Sequence, residues 1–291
     1  MSSMVRECLF FMTMVTIPRD AATVMILRRP CDSSGRDFEV LMVLRHPGSI
    51  FMPDCYVFPG GCLDEEDYAP EVERFCRGLD QARARSLIRD ILPPEKAIGT
   101  WIAGIRETFE EVGLLLAYER DGSLVSLDSE AQKAQYSAHR RALIEGRIDF
   151  LDILEQERLT LATDRLHYFS HWITPEPLPY RYDVRFFVAE APADQEGMHD
   201  GLELTGHVWI RPKDALEQCE QGKFGMVLPT IMSLVEVSGF MTIEEAIRST
   251  EAKVIPAILT QMKMIRGEYV EVIPEDVIPN GPLPVHPESG Q

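Results

Sequence analysis

Residues 106–114 read RETFEEVGL, and this stretch spaces three glutamates so that a helix would bring them together. Glu107, Glu110 and Glu111 stand at positions i, i+3 and i+4, so at 3.6 residues per turn their side chains share one face. Three neighbouring carboxylates repel one another unless a cation joins them, and Mg²⁺ or Mn²⁺ prefers such oxygen ligands. The stretch therefore predicts a metal-carboxylate site on a rigid helix.

An acidic cluster on a helix is more often only a solvated face, and the three glutamates alone favour that interpretation. Their surroundings favour a site. The loop 58–61, which reads FPGG, contains two glycines that allow close backbone approach, and Gly113 predicts the end of the helix. A glycine loop, a helix and a second loop therefore surround the acids.

Apolar periodicities on both sides of this stretch predict an α/β protein. Apolar residues recur at steps of three and four over residues 97–113, which predicts the helix itself. Residues 22–28 and 38–45 predict one antiparallel strand pair, and residues 166–173 and 181–189 predict another. Further helices are predicted at 80–91, 129–157, 214–220, 228–237 and 242–247, with a short strand at 207–210.

The glutamate stretch resembles the Nudix family, whose motif reads G, five residues, E, seven residues and R-E-U-x-E-E-x-G-U, with U bulky and apolar. Every fixed position from Arg106 to Leu114 matches, with Phe109 at a usually aliphatic place. The first half departs, because Gly61 leads after five residues to Asp67 and a long insertion follows. This split motif looks like the branch of Nudix-19-type coenzyme A diphosphatases, and the resemblance covers about residues 20–240.

The resemblance implies an α/β fold, a Nudix-type α/β/α sandwich with a mixed central sheet and helical insertions. It places an N-terminal extension at 1–19, a Nudix domain at 20–250, and a C-terminal helix with an extended tail at 251–291. Within the domain we expect an inserted segment at about 68–98 and a helical segment at about 129–157.

The resemblance also assigns roles to the acids. Glu107, Glu110 and Glu111 are expected to bind the metal, with the Gly61 carbonyl as a further ligand, and Glu107 and Glu110 are expected to serve catalysis. Arg106 would orient the glutamates by ion pairing. An ordinary helix ion pair worth ~0.3–0.5 kcal/mol is the alternative for Arg106.

Acids outside the glutamate stretch are less sharply defined. Asp67 is shorter than the glutamate of the family, so its role in bracing the helix stays open. Nudix enzymes usually take another acid from a loop before a late strand, and Glu203, which precedes Trp209, is the candidate metal ligand or general base. A solvated loop acid is the alternative for Glu203.

Three residues are candidates for substrate binding. Arg45 and Arg185 are proposed to bind phosphates, and Phe58 to stack on a base. Such residues are more often surface cations or core aromatics, so these assignments are the least specific.

The function that follows is metal-dependent hydrolysis of a nucleoside-diphosphate-linked small molecule at its phosphoanhydride. The split motif favours coenzyme A or an acyl-coenzyme A. ADP-ribose, NADH or another nucleotide stays open as the substrate, because the same metal helix would serve. A non-catalytic Nudix-fold nucleotide sensor is a second alternative, and the intact acids argue against it. The oligomeric state is open, although homodimers are common in the family.

The composition excludes some partners. With 47 acidic and 29 basic residues the formal net charge is −18, which repels a nucleic-acid duplex. The 6 cysteines contain no CxxC pair, so we expect reduced thiols and an intracellular, cytoplasmic protein. No apolar run approaches the roughly 20 residues that span a bilayer, so no membrane partner is expected.

Overall fold

A mixed β-sheet forms the centre of the computed structural model, which describes residues 16–30, 37–197, 204–251 and 253–275. The strands are β1 (Arg19–Arg28), β2 (Glu39–Arg45), β3 (Tyr56–Val57), β4 (Gly60–Cys62), β5 (Ala117–Tyr118), β6 (Thr160–Leu161), β7 (His167–Ile173), β8 (Tyr182–Glu190), β9 (Leu204–Ile210), β10 (Ala257–Leu259), β11 (Gln261–Ile265) and β12 (Glu268–Val272). Strand β1 pairs in parallel with β8 and antiparallel with β2 and β4. Strand β8 continues antiparallel to β7, which confirms both predicted strand pairs.

Helices cover both faces of this sheet. They are α1 (Gln81–Leu87), α2 (Lys96–Val112), α3 (Glu130–Ile144), α4 (Phe150–Glu157), α5 (Pro212–Glu220), α6 (Leu228–Val237) and α7 (Ile243–Arg248). Alternate residues of β1 enter different cores: Val24 packs on the α2 side and Met25 on the side of α5, α6 and α7. The α/β/α sandwich is therefore confirmed.

Helix α2 is almost entirely buried, because its apolar residues face the sheet and its N-terminal half is covered by other elements. The indole N–H of Trp101 donates to the Leu166 carbonyl at 3.0 Å, which fixes the helix to the start of β7. Gly104 lets the helix approach β1 closely, since a Cβ there would lie 3.1 Å from Cγ2 of Val24. Gly113 ends the helix in the left-handed conformation, with φ of 73°.

The inserted segment between Asp67 and α2 forms part of the core. Its buried residues Val72, Phe75 and Ile88 pack in the same cluster as α2. The apolar side chains of the insertion thus pack against α2. In the sequence, the insertion lies between the glycine loop and this helix.

Two predicted elements need correction. The helical segment at 129–157 is two helices, α3 and α4, separated by the turn at Gly146, whose φ is 64°. The predicted helix after residue 251 is wrong, because residues 253–275 contain strands β10, β11 and β12 instead. Arg266 and Gly267 both have positive φ, which closes a tight hairpin between β11 and β12.

The structure also bears on two other expectations. Among the described residues, no helix combines the length and apolarity that crossing a bilayer requires. Cys55, Cys62, Cys76 and Cys219 are free thiols. The proposed domain limits remain a prediction.

Candidate active site

The C-terminal half of α2 places the three glutamates against the glycine loop. The Glu107 carboxylate lies so close to Gly61 that a Cβ on this glycine would stand 2.4 Å from Cδ of Glu107. The Gly60 N–H donates to Oε2 of Glu111 at 2.8 Å. Gly61 is therefore needed because a carboxylate packs directly on its backbone, and Gly60 because a Cβ there would lie 2.3 Å from the Ala22 carbonyl oxygen of β1.

Arg106 and Asp67 form a buried, two-pronged ion pair. Nε of Arg106 donates to Oδ1 of Asp67 at 2.9 Å, and Nη2 donates to Oδ2 at 2.8 Å. Asp67 is only 2% exposed. These contacts answer the open question about Asp67. Its carboxylate braces the site by holding the Arg106 side chain, although the insertion separates the two residues in the sequence.

The same guanidinium holds two of the acids. Nη1 of Arg106 donates to Oε1 of Glu107 at 2.8 Å and to Oε1 of Glu110 at 3.0 Å. Arg106 therefore orients these glutamates as expected, and its burial separates it from an ordinary surface ion pair.

One arginine does not balance the acidic charge of the cluster. Burial raises the pKa of Glu107 to about 7; Arg106 opposes the shift and the charge of Glu110 adds to it. Burial also raises the pKa of Glu110 against the effect of Arg106. The cluster is therefore short of positive charge when no cation is bound.

The acids fit a hard divalent cation by their chemistry. Within the described ranges, no group of three His, Cys, Asp or Glu side chains converges closely enough to hold an ion. The carboxylate oxygens point instead to Arg106 and to the Gly60 N–H. Oxygen donors with excess negative charge, on a rigid helix, are nevertheless what Mg²⁺ and Mn²⁺ require.

A cavity of about 660 Å³ opens beside the acids. Glu107, Glu110 and Glu111 line it together with Gly60 and Gly61, and its other walls are largely apolar. Its volume is that of a site for a small organic ligand, which is roughly 300–1,000 Å³.

Two of the predicted substrate-binding residues line this cavity. Arg45 lies at the end of β2, and its Nε donates to the Phe51 carbonyl at 3.1 Å. Phe58 is 3% exposed and packs edge-on against Phe186, with ring centroids 6.3 Å apart. Phe58 is thus a wall of the cavity whose ring is mostly covered.

Arg185 does not line the cavity, which corrects its prediction as a phosphate-binding residue. Neighbouring residues of a strand point to opposite faces, so Val184 and Phe186 face the cavity and Arg185 faces away. Its guanidinium is fully buried, and Nη1 donates to Oδ1 of Asp20 at 2.9 Å. The strand was predicted correctly, but not which face pointed to the site.

Glu203 lies outside the described residues, so its role remains a prediction.

Arg140 of α3 was missed from the sequence. Its Nε donates to the Glu110 carbonyl at 2.8 Å, and its Nη2 donates to the Glu111 carbonyl at 2.7 Å. The guanidinium thus caps the C-terminal end of the helix that carries the acids, where carbonyl groups lack helical partners. Arg19 was also missed, and it lines the cavity from the start of β1.

Known proteins are similar to this chain in sequence and in fold. The family described as NUDT19 Nudix domain matches residues 77–237, more than half of the chain. An acyl-coenzyme A diphosphatase NUDT19 of Xenopus laevis is 28% identical over 238 residues, which cover 72% of this chain and 62% of the frog protein. Its counterpart in Gallus gallus is 27% identical over 267 residues, covering 78% of this chain and 70% of the chicken protein.

A solved structure agrees with the fold. The crystal structure of a Nudix hydrolase from Alicyclobacillus acidocaldarius is 25% identical, with a TM-score of 0.63. The match covers 83% of this chain and 100% of the bacterial one. The chain thus spans a whole bacterial Nudix hydrolase, but only about three fifths of the frog relative.

Replacing Asp67 tests the buried ion pair. We expect Asp67→Ala to lower the free energy of unfolding by about 3–5 kcal/mol, because Arg106 loses a buried partner. Asp64→Ala is the matched control: Asp64 also approaches Arg106, at 3.3 Å, but its side chain is 63% exposed. Its loss removes an exposed ion pair and the N-cap of Glu65–Tyr68, so it should cost about 1 kcal/mol. Urea unfolding measures both, and equal costs would contradict the bracing role.

The raised pKa of Glu107 predicts how pH affects stability in the presence of a chelator. The folded protein binds this proton more tightly than the unfolded chain, whose glutamate has a pKa of 4.5. The stabilisation is present below pH 4.5 and is lost as the pH rises through about 7. Glu107→Gln should therefore gain stability relative to the native protein between these values, on the order of 3 kcal/mol.

The control for this prediction is Glu130→Gln, because the Glu130 side chain is 92% exposed. The substitution removes only an exposed ion pair with Lys133, so its stability should differ from that of the native protein by less than about 1 kcal/mol throughout. The free energy of unfolding is measured by chemical denaturation at each pH. If it changes with pH in parallel for Glu107→Gln and the native protein, Glu107 has an ordinary pKa and the prediction is wrong.

Proposed function

The chain belongs to the Nudix family, among the NUDT19 Nudix domains, and on that premise we propose that it is a metal-dependent hydrolase of coenzyme A or acyl-coenzyme A. The observation that carries the proposal is the position of Glu107, Glu110 and Glu111 on one wall of a ligand-sized cavity. The choice of coenzyme A is supported by the names of the frog and chicken relatives, which are acyl-coenzyme A diphosphatases.

The residues that would hold Mg²⁺ or Mn²⁺ are Glu107, Glu110 and Glu111, with the Gly61 carbonyl as a further ligand. When bound, the ion supplies positive charge for the phosphate oxygens and lowers the pKa of a coordinated water. Arg106 keeps two of these carboxylates in place, and the Gly60 N–H keeps the third. The protein thereby fixes the acids before the substrate arrives.

Local cations make the cavity compatible with an anionic substrate. The protein as a whole carries a formal charge of −18, which opposes the approach of a diphosphate. Arg19 and Arg45 line the cavity and offset this repulsion where the phosphates would bind. The apolar walls exclude bulk water and strengthen these charge interactions.

The reaction is the hydrolysis of one phosphoanhydride bond. The oxygen of water bonds to one phosphorus, and the bond from this phosphorus to the bridging oxygen breaks. The bridging oxygen leaves with the other phosphate, and the protons of the water are shared between the products and solvent. From coenzyme A the products are 3′,5′-ADP and 4′-phosphopantetheine. Glu203 stays the candidate base for the water proton.

Turnover assays test this proposal. We expect the protein with Mg²⁺ or Mn²⁺ to convert coenzyme A into the two products above, identified by mass, in preference to ADP-ribose and NADH. Glu110→Gln should lower kcat by about two to four decades, because ligand charge is lost from the cluster. Glu130→Gln, at an exposed position that does not line this cavity, should keep the native rate.

The outcomes separate the alternatives. Preferential cleavage of ADP-ribose or NADH would support the proposed hydrolysis but contradict coenzyme A as the preferred substrate. Turnover that survives both a chelator and Glu110→Gln would contradict the metal site. No turnover of any of the three nucleotides would contradict hydrolysis and favour a nucleotide sensor.

A further inference from the structure

The C-terminal hairpin of β11 and β12 is fixed against the central sheet. Strand β10, which precedes it, pairs with β7, and Ile258 and Ile273 are buried in the same cluster as Trp172. Between β10 and β11, the N–H of Thr260 donates to the Ile173 carbonyl at 3.2 Å. Both ends of the hairpin are therefore anchored, and the position of its side chains is defined.

One acid of the hairpin lines the cavity. Glu271 lies within β12, and its side chain lines the cavity. The Thr260 hydroxyl lies 2.6 Å from Oε1 of Glu271. In the part of the chain that the structure describes, this is the only hydrogen bond of the Glu271 carboxylate, so Oε2 remains available to a ligand.

Glu271 lies far from the acids of α2. The path across the sheet from β4, beside those acids, runs through β1 and β8 to β7. Three strand spacings of roughly 4.8 Å place β7 about 14 Å from β4. Glu271 is connected to β7 through Thr260, which bonds to both Glu271 and Ile173. Trp172, Val184 and Phe186 line the cavity along this path. Among the described residues that line the cavity, Glu271 is thus the one acid on the β7 side, where Trp172 and Val184 are apolar and Thr174 and Tyr182 are polar.

The chemistry of this end restricts what can bind there. A carboxylate repels phosphate and accepts hydrogen bonds from N–H and O–H groups, and it does so more strongly in apolar surroundings than in water. The apolar residues beside it suit carbon chains. A substrate that fills the cavity must therefore place its diphosphate near α2 and an uncharged, donor-bearing arm near the hairpin.

We propose that Glu271 is a specificity-determining residue, which accepts a hydrogen bond from an amide N–H or hydroxyl group on the uncharged arm of a diphosphate substrate. The inference rests on the proposed function and adds the orientation of the substrate in the cavity. Burial raises the pKa of Glu271, which agrees with its apolar surroundings. Glu271 lies outside residues 77–237, the part of the chain that matches the NUDT19 Nudix domain.

Two substrates and three variants test this role. The substrates are coenzyme A and a truncated analogue, 3′-phospho-ADP with a methyl ester on its terminal phosphate, which keeps the phosphoanhydride and lacks the arm. The variants are Glu271→Leu, Glu271→Gln and the control Glu268→Leu. Glu268 lies on the same strand, is exposed and does not line the cavity.

We expect Glu271→Leu to raise KM for coenzyme A by about tenfold or more, with kcat within about twofold, because a charged acceptor is lost. Glu271→Gln keeps an acceptor oxygen and should recover much of this loss. None of the three variants should change KM or kcat for the truncated analogue. An unchanged KM for coenzyme A, or an equal loss of kcat on both substrates, would overturn the proposal.

Binding measurements separate this inference from the hydrolase proposal. If the native protein cuts neither substrate, the hydrolase proposal fails, and calorimetric titration of the metal-free protein with coenzyme A becomes the test. Weaker binding by Glu271→Leu than by Glu268→Leu would support the role of Glu271. Equal affinities, or no binding to the native protein, would overturn it.

Discussion

The site depends on the contacts of one buried guanidinium. Arg106 joins Asp67, which follows the glycine loop, to Glu107 and Glu110 on α2, so it holds two separate parts of the chain in one arrangement. The remaining features serve this contact: Gly61 leaves space for a carboxylate, and Gly104 lets the helix lie close to the sheet. The motif is therefore a set of packing constraints as well as a list of metal-binding residues.

Charge balance explains why this arrangement is suited to a cation. One arginine faces several acids, and burial holds the pKa of Glu107 near 7 instead of its usual value. Arg140 donates to the carbonyl groups at the end of α2 and so stabilises the helix end that carries the acidic side chains. A dication would supply the missing charge, and the arginines at the cavity would then face the phosphates. An acidic protein can in this way bind an acidic substrate.

Local patterns predicted most of the fold, and long-range contacts explain what was missed. The spacing of the glutamates, the limits of α2 and both strand pairs follow from periodicity within short segments. The Arg106–Asp67 pair joins residues on either side of an insertion, and no local pattern encodes that. Arg185 was misplaced because periodicity gives the alternation of a strand but not which face meets the site. The hairpin was missed because its anchors, such as Ile258, gain their partners only from a distant strand.

The most direct test of this account is an anomalous-scattering experiment on crystals grown with Mn²⁺. The account predicts the strongest peak between the carboxylates of Glu107, Glu110 and Glu111, with the Arg106–Asp67 pair intact. A peak elsewhere would contradict it. A map with no peak at these acids, in which the three carboxylates contact only protein groups, would also contradict it.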